Sequence, residues 1–310
     1  MPNYQGVWSL STQYQNRTGW PSVPIVGIFG GGSTTVPTIE QINLATTGDA
    51  TDFGNMSTGA TARNWGGSGS STTRAVFIAG GSSNVIDYIE YATRGTASDF
   101  GDHTFSGYKM VAASNATRCF TAGQNGYTQQ IGYITIATTG NTQNFGNMST
   151  IWEGPAAAAS STRGLIGGGE ATTTTNQIEY ITIASTGNST DFGDLTVGRR
   201  IGITALSSPT RAVFCAGRNP TNPSNIMDYV TIATTGNATD FGDLTVASQN
   251  SASTSSHTRG VIHAGWNGSA NVTTLGFITI ASTGNATAYG DLQTADQQKM
   301  GTSANHGGLS

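Results

Sequence analysis

Residues 233–243 read Ala233-Thr-Thr-Gly-Asn-Ala-Thr-Asp-Phe-Gly-Asp243, and this phrase decides the fold because the chain repeats it six times. Its variants end at Phe53-Gly54-Asn55, Phe100-Gly101-Asp102, Phe145-Gly146-Asn147, Phe192-Gly193-Asp194, Phe241-Gly242-Asp243 and Tyr289-Gly290-Asp291. Successive aromatic residues lie 47, 45, 47, 49 and 48 positions apart. A period in this range, with strand signals in each unit, predicts a β-propeller.

Working outward from the phrase gives the unit. Arg211-Ala-Val-Phe-Cys-Ala216 is a short apolar run that ends at Gly217. After a polar loop, Ile226-Met-Asp-Tyr-Val-Thr-Ile-Ala233 is rich in β-branched residues, which fit a pleated surface. Thr234-Thr-Gly-Asn237 is a turn in which Gly236 supplies positive φ. Ala238-Thr-Asp-Phe241 is a further strand, and a weaker fourth is expected within 244–257. Four antiparallel strands make one blade. The expectation is an all-β, six-bladed β-propeller over residues 25–310. The strand starting near Ile25 and a strand near Ser303–His306 should close the ring by pairing, with the last strand placed outermost. Pairing the first and last strands removes an open edge.

Composition narrows the partners. Charged residues are 10% of the 310, the net charge is −4, and no basic stripe is visible to meet phosphates, so no nucleic-acid partner is expected. No run is apolar over the ~20 residues a membrane helix needs, so no membrane insertion is expected. The opening residues lack a basic start followed by an apolar run, so no signal peptide is expected. Nine Asn-x-Ser/Thr sites, including Asn115, Asn188, Asn237 and Asn285, read as turn chemistry beside glycine.

The unit resembles the Kelch repeat: an apolar strand ending in paired glycines, a strand with a tyrosine, a threonine-containing turn, and an aromatic closing the next strand. Here the glycines are Gly80-Gly81 and Gly168-Gly169, and the tyrosines Tyr88, Tyr133, Tyr180 and Tyr229. The closing aromatic is Phe where that family usually has Trp. The phrasing is also similar to repeat proteins of tailed bacteriophages of marine bacteria, and Gly6-Val-Trp-Ser-Leu10 with Trp20-Pro21 resembles the leader of virion proteins from such phages. The resemblance implies a virion component, made in the host cytoplasm: a fibre, tail or capsid-surface protein. Its partners would be other virion proteins and a host-surface glycan or protein.

Candidate residues follow from the repeat and from its breaks. Arg74, Arg118, Arg163, Arg211 and Arg259 each follow a Thr and open five units, and the first unit has Val26 there. Asp102, Asp194, Asp243 and Asp291 close four. A residue repeated by the fold is expected to be structural, here an arginine–carboxylate or arginine–carbonyl tie between blades. An anion-binding ring around the channel is the competing reading. His103, His257, His263 and His306 show no metal-ligand spacing, and neither a metal nor a cofactor is expected. Cys119 and Cys215 fall in non-adjacent units, too far apart for a disulfide, and should be free buried thiols. No nucleophile, base and orienting group can be assembled, so no enzyme activity is expected. The unit-to-unit differences concentrate in the loop after the first apolar strand. There Tyr127, Arg218 and Trp266 are the expected partner-binding residues.

Residues 1–24 lie outside the repeat and carry Tyr4, Trp8, Tyr14 and Trp20. They read as an attachment segment, with Trp8, Tyr14 and Trp20 as its anchors, because two tryptophans are costly to leave in water. The leading functional expectation is a non-enzymatic phage virion protein serving particle assembly or host-surface binding. The rivals are a cellular Kelch-like adaptor for peptides and a carbohydrate-active propeller enzyme.

Overall fold

The computed structural model describes residues 25–33, 38–57, 63–124, 128–170 and 173–309. They form six four-stranded antiparallel sheets, arranged as the blades of a ring. Met300–Ser303 pairs antiparallel with Val26–Gly30, so the last strand and the first share one blade and close the ring as expected. Among the described residues the helical structure is one 3-10 turn, Gly307–Leu309.

The order of strands within a blade corrects the sequence reading. The innermost strands are Gly67–Ser70, Val111–Ser114, Ala156–Ala159, Arg200–Ser207, Ala252–Ser255 and Met300–Ser303. These six touch one another around the axis. The strand at Met300–Ser303 is therefore innermost, not outermost, and the apolar run beginning at Val26 is second. The fourth strand expected within 244–257 is Ala252–Ser255, and it belongs to the next blade, pairing with Arg259–His263. Crowding is the cause. Six strands converge on the axis, so Gly, Ala, Ser and Thr predominate there, and most of the innermost strands look weak in sequence.

The repeated phrase builds the seams. In the first blade's outer strand, the Phe53 carbonyl accepts from the Gly95 N–H of the second blade's turn, at 3.1 Å. The same bond recurs as Gly140 to Phe100, Gly187 to Phe145, Gly236 to Phe192, Gly284 to Phe241 and, closing the circle, Gly48 to Tyr289. The turn side chain adds a second tie. Asn141, Asn188, Asn237, Asn285 and Asp49 each accept, through Oδ1, the backbone N–H of Asp102, Asn147, Asp194, Asp243 and Asp291 respectively. The turn reading of Asn188, Asn237 and Asn285 thus has a specific form: a clamp on the neighbouring blade. Backbones approach so closely that a Cβ on Gly193 would lie 2.5 Å from the Gly236 carbonyl oxygen.

A second element stiffens five seams. Arg74, Arg118, Arg163, Arg211 and Arg259 stack on Tyr88, Tyr133, Tyr180, Tyr229 and Phe277 of their own blade, 4.2–4.8 Å above the rings. Each guanidinium then donates to a carbonyl of the next blade: Ile136, Ile183, Ile232, Ile280 and Leu44. Each stack adds ~0.5–1 kcal/mol at such half-exposed positions. This is the arginine–carbonyl tie, and it lies at the seams, so the arginines form no ring around the channel. The carboxylates of Asp102, Asp194, Asp243 and Asp291 take no part in it. Arg74 does pair with an acid, Glu90, at 2.8 Å.

Apolar layers between blades complete the packing. Phe77 fits against Gly30 and Phe214 against Gly167, a large residue opposite a small one. Cys119 and Cys215 are free and fully buried, and burial pushes the Cys215 thiol up to about 12 and the Cys119 thiol higher still.

Gly193→Ala should destabilise the ring by at least ~2 kcal/mol, because φ is +142° there and the added methyl meets backbone. A melting temperature equal to wild type would show that the seam tolerates separation. The thiols should resist alkylation in the native protein and yield two adducts per chain once denatured without reductant. Adducts formed rapidly in the native state would contradict their burial.

Candidate functional site

The two rims of the ring differ in kind. One carries the turns joining innermost to second strands and third to outer strands, and these turns are repeated. In the first set, Ser71, Asn115, Ser160, Ser208 and Ser256 accept from the backbone N–H of Arg74, Arg118, Arg163, Arg211 and Arg259. Asn115 is thus a turn residue. The opposite rim carries the loops between second and third strands and the connections from one blade to the next. These are the segments that differ from unit to unit.

The channel opens on this variable rim. Six residues that enter the innermost strands ring its mouth: Trp65, Lys109, Gly154, Gly202, Asn250 and Gln298. All have left-handed φ, from 57° to 71°, although four are not glycine. Such a conformation costs of order 1 kcal/mol or more for a side-chain-bearing residue, and it persists only where its surroundings fix it. Backbone bonds between neighbours do this. Trp65 N–H donates to Gln298, Gly154 to Lys109, Gln298 to Asn250, and Met110 to Trp65. The mouth encloses about 90 Å³. Lys109 pairs with Glu153 at 2.7 Å, and Arg200 pairs with Glu170 on the same rim.

Arg218 and Trp266 sit on this variable rim, in neighbouring loops. Arg218 is paired with Pro223 across its hairpin, and Pro223 lies next to Gly268 of the loop that carries Trp266. Neither side chain is fully exposed. Arg218 Nε donates to the Thr221 carbonyl at 2.7 Å, and Trp266 is half-buried, its backbone bonded to Gln249. Tyr127, and the segment with Trp8, Tyr14 and Trp20, lie outside the described residues.

Several residues escaped the sequence reading. Tyr108, beside Lys109, is 40% exposed and is one of the large apolar side chains that stand out from the surface. Glu40, Asp87, Glu179 and Asp228 are fully buried on the third strands. Asp87 and Asp228 pair with buried Arg63 and Arg199 at 2.9 and 2.6 Å, and Lys299 lies 3.7 Å from Glu40. Glu179 accepts from the hydroxyls of Ser149 and Ser189. A signal was present: in four units an acid interrupts the apolar third strand, directly after Ile39, Ile86, Ile178 and Met227. Burial raises Glu40 and Asp228 above the usual carboxylate range. Among the described residues, no group of three or more His, Cys, Asp or Glu is placed to hold a metal, and no helix is long and apolar enough to cross a membrane.

The other end of the channel is closed by residues 304–309. Around it, Ser70, Ser114, Ser207, Ser255 and Ser303 each donate a hydroxyl to a carbonyl of the preceding blade: Ser303, Ser70, Ala159, Ser207 and Ser255. Ala159 holds the sixth position and has no hydroxyl to give to Ser114. There the closing turn seats, with Gly308 against the Ser114 carbonyl. His306 Nδ1 accepts from Gly308 N–H at 3.1 Å, which leaves the proton on Nε2, near Ser114 Oγ and the Ser70 carbonyl. Compared with protein-family models and with curated proteins, the chain matches none.

Burial pushes His306 and His263 down to about 4, against the pull of the Ser70 and Val272 carbonyls. Unfolded histidine titrates near ~6.5, so between the two values the unfolded chain binds more protons. The histidine contribution is complete above pH ~6.5 and is lost as pH falls toward about 4. Glu40 and Asp228, raised by burial, act in the opposite sense in the acidic part of that window. Comparison with His306→Gln isolates the closing turn. The wild type should lose more melting temperature than the variant between about pH 7 and about pH 4.5. Parallel losses would remove His306 from the account.

Proposed function

We propose that the chain is a non-enzymatic binding and structural module, a Kelch-like propeller of a tailed-phage virion, that offers its variable rim to a partner. The observation that carries this reading is the division of labour between residues. The repeated arginines, asparagines and glycines all act in turns and seams, while the unrepeated Trp65, Lys109, Arg218 and Trp266 gather on one rim around an open mouth. Aromatic and arginine side chains presented together on a rigid platform favour a glycan or protein partner over a reaction. The virion assignment rests on the resemblance of the repeated phrase and of residues 6–21 to phage virion proteins. On that assignment the protein is a fibre, tail or capsid-surface component, its partners are other virion proteins or a host-surface glycan or protein, and residues 1–24 attach it to the particle. It needs no cofactor.

The test uses the full chain and two variants. Replacing Tyr127, Arg218 and Trp266 together by Ala should leave the ring folded, with a modest loss of melting temperature from the half-buried Trp266 and the Arg218 bond, and reduce host adsorption or subunit assembly at least ~10-fold, the loss expected when binding hot spots are removed. Deleting residues 1–24 should leave a folded ring that no longer enters particles. Wild-type adsorption and assembly in a folded triple variant would show that the rim is not the binding face. Particles of the encoding phage that lack the protein would overturn the virion assignment.

A further inference from the structure

The fifth blade enters the channel mouth differently from the others. Each of the other five has a single left-handed residue at the entry to its innermost strand. The fifth has two in succession, Ile201 at φ 50° and Gly202 at φ 71°. Positive φ at a β-branched residue is an outlier that persists only where its surroundings impose it. The pairing of this strand with the next skips between Arg200 and Ile203, so Ile201-Gly202 forms a bulge. The bulge presses Gly202 against Asn250 of the sixth blade. A Cβ on Gly202 would lie 2.2 Å from the Asn250 backbone and 2.8 Å from its Oδ1. Ser251 N–H donates to the Gly202 carbonyl across the same seam at 3.2 Å. Asn250 is held there at 6% exposure, its Nδ2 donating to Gln297 Oε1. Its Oδ1 accepts no hydrogen bond, and neither does Oε1 of the neighbouring Gln249. A buried acceptor without a donor bears the cost of its lost hydration until a donor arrives.

We propose that this sector of the mouth, where the fifth blade meets the sixth, binds the terminal residue of an uncharged glycan. The inference rests on the partner-binding reading of the variable rim and names the ligand class. Asn250 lines the mouth. Gln249 and Trp266 exchange backbone bonds, each N–H donating to the other's carbonyl at 3.0 and 2.9 Å. An indole and two carboxamide oxygens therefore share one arc of the rim. Arg200, on the other side of the bulge, has an Nε without an acceptor. The arc thus offers two acceptors, one donor and an aromatic face. A sugar hydroxyl both donates and accepts, so neighbouring hydroxyls of one ring satisfy all three polar atoms while the C–H face of the sugar lies on the indole. Such bonds are strong where water is excluded. Charge argues against an acidic sugar. Arg200 is paired with Glu170 and Lys109 with Glu153, so a carboxylate entering the mouth would compete with acids already in place. The mouth encloses about 90 Å³, which suits one ring at a chain end better than an internal stretch of glycan.

Titration of the full chain with the methyl glycosides of glucose, galactose, mannose and N-acetylglucosamine tests it. The readouts are the NMR signals of the Asn250 and Gln249 side-chain amides and of the Trp266 indole. At least one neutral glycoside should shift all three saturably, and the methyl glycoside of glucuronic acid should bind more weakly than that of glucose. Asn250→Gly keeps the left-handed backbone, removes Oδ1 and should weaken binding at least ~5-fold, the loss of one hydrogen bond to the ligand. Gln249→Ala leaves the bulge untouched and should weaken binding in the same direction, so it decides the matter if Asn250→Gly does not fold. Absence of any shift with all four neutral glycosides overturns the proposal. Wild-type affinity in both folded variants does so too, as does a preference for the glucuronic acid glycoside. If no glycoside binds while the triple rim variant still loses adsorption or assembly, the sugar assignment fails and the rim remains a partner-binding face.

Discussion

The close approach of two glycines across each seam is the constraint on which this ring depends. A phenylalanine carbonyl can accept a turn N–H from the neighbouring blade only if the Gly of Phe-Gly-Asx carries no side chain, because a Cβ there would run into the facing turn backbone. The Gly in Phe-Gly-Asx and the Gly in Thr-Gly-Asn are the two sides of that contact. They are written into one phrase because each blade presents its turn to the preceding blade and its outer strand to the following one. Identical seams impose identical rotations, and six of them return the chain to its start, where Gly48 meets Tyr289. The arginine stacks, the asparagine clamps and the apolar layers all presuppose this spacing.

Most contacts join residues within one unit or adjacent units, but Val26–Gly30 must find Met300–Ser303 across nearly the whole chain. Long loops are costly to close before their contacts reward them. The polar cluster at that junction fits the task of holding it closed. Lys299 donates to the Gly31 carbonyl, and Asp296 accepts from both the amide and the hydroxyl of Ser33. Breaking a buried charged group's partners costs more than the pair itself contributes.

The number of blades, the strand count and the closure were legible because they follow from period, β-branched runs and turn glycines. The seam role of the arginines was legible too, since residues repeated by the fold tend to serve it. What failed was radial order. Alternation of apolar and polar residues tells which residues face a neighbouring blade and says nothing about distance from the axis. The strand Ala252–Ser255, expected only as a weak fourth strand within 244–257, is innermost, because at the axis small size rather than hydrophobicity decides what is buried. The mouth was illegible for a different reason. Trp65, Lys109 and Gln298 occupy a left-handed conformation that their own preferences oppose, so only the surrounding backbone bonds determine it. Arg218 and Trp266 could be placed on one rim from loop position, but their partial burial depends on hairpin contacts that local sequence does not encode.

The hydroxyl circle around the closed end of the channel has a sense of rotation, each serine donating to the blade before it. Bonds in such a chain polarise one another. Ala159 interrupts the circle, so it has a first donor and a last acceptor, and residues 306–309 occupy the interruption. A ring of six nearly equal blades could otherwise be rotated by one blade and look the same to whatever binds along its axis. Here one direction around the axis is marked. A partner approaching from that end therefore meets six angular settings that are not equivalent, and an assembly built on this ring can fix its azimuth as well as its axis.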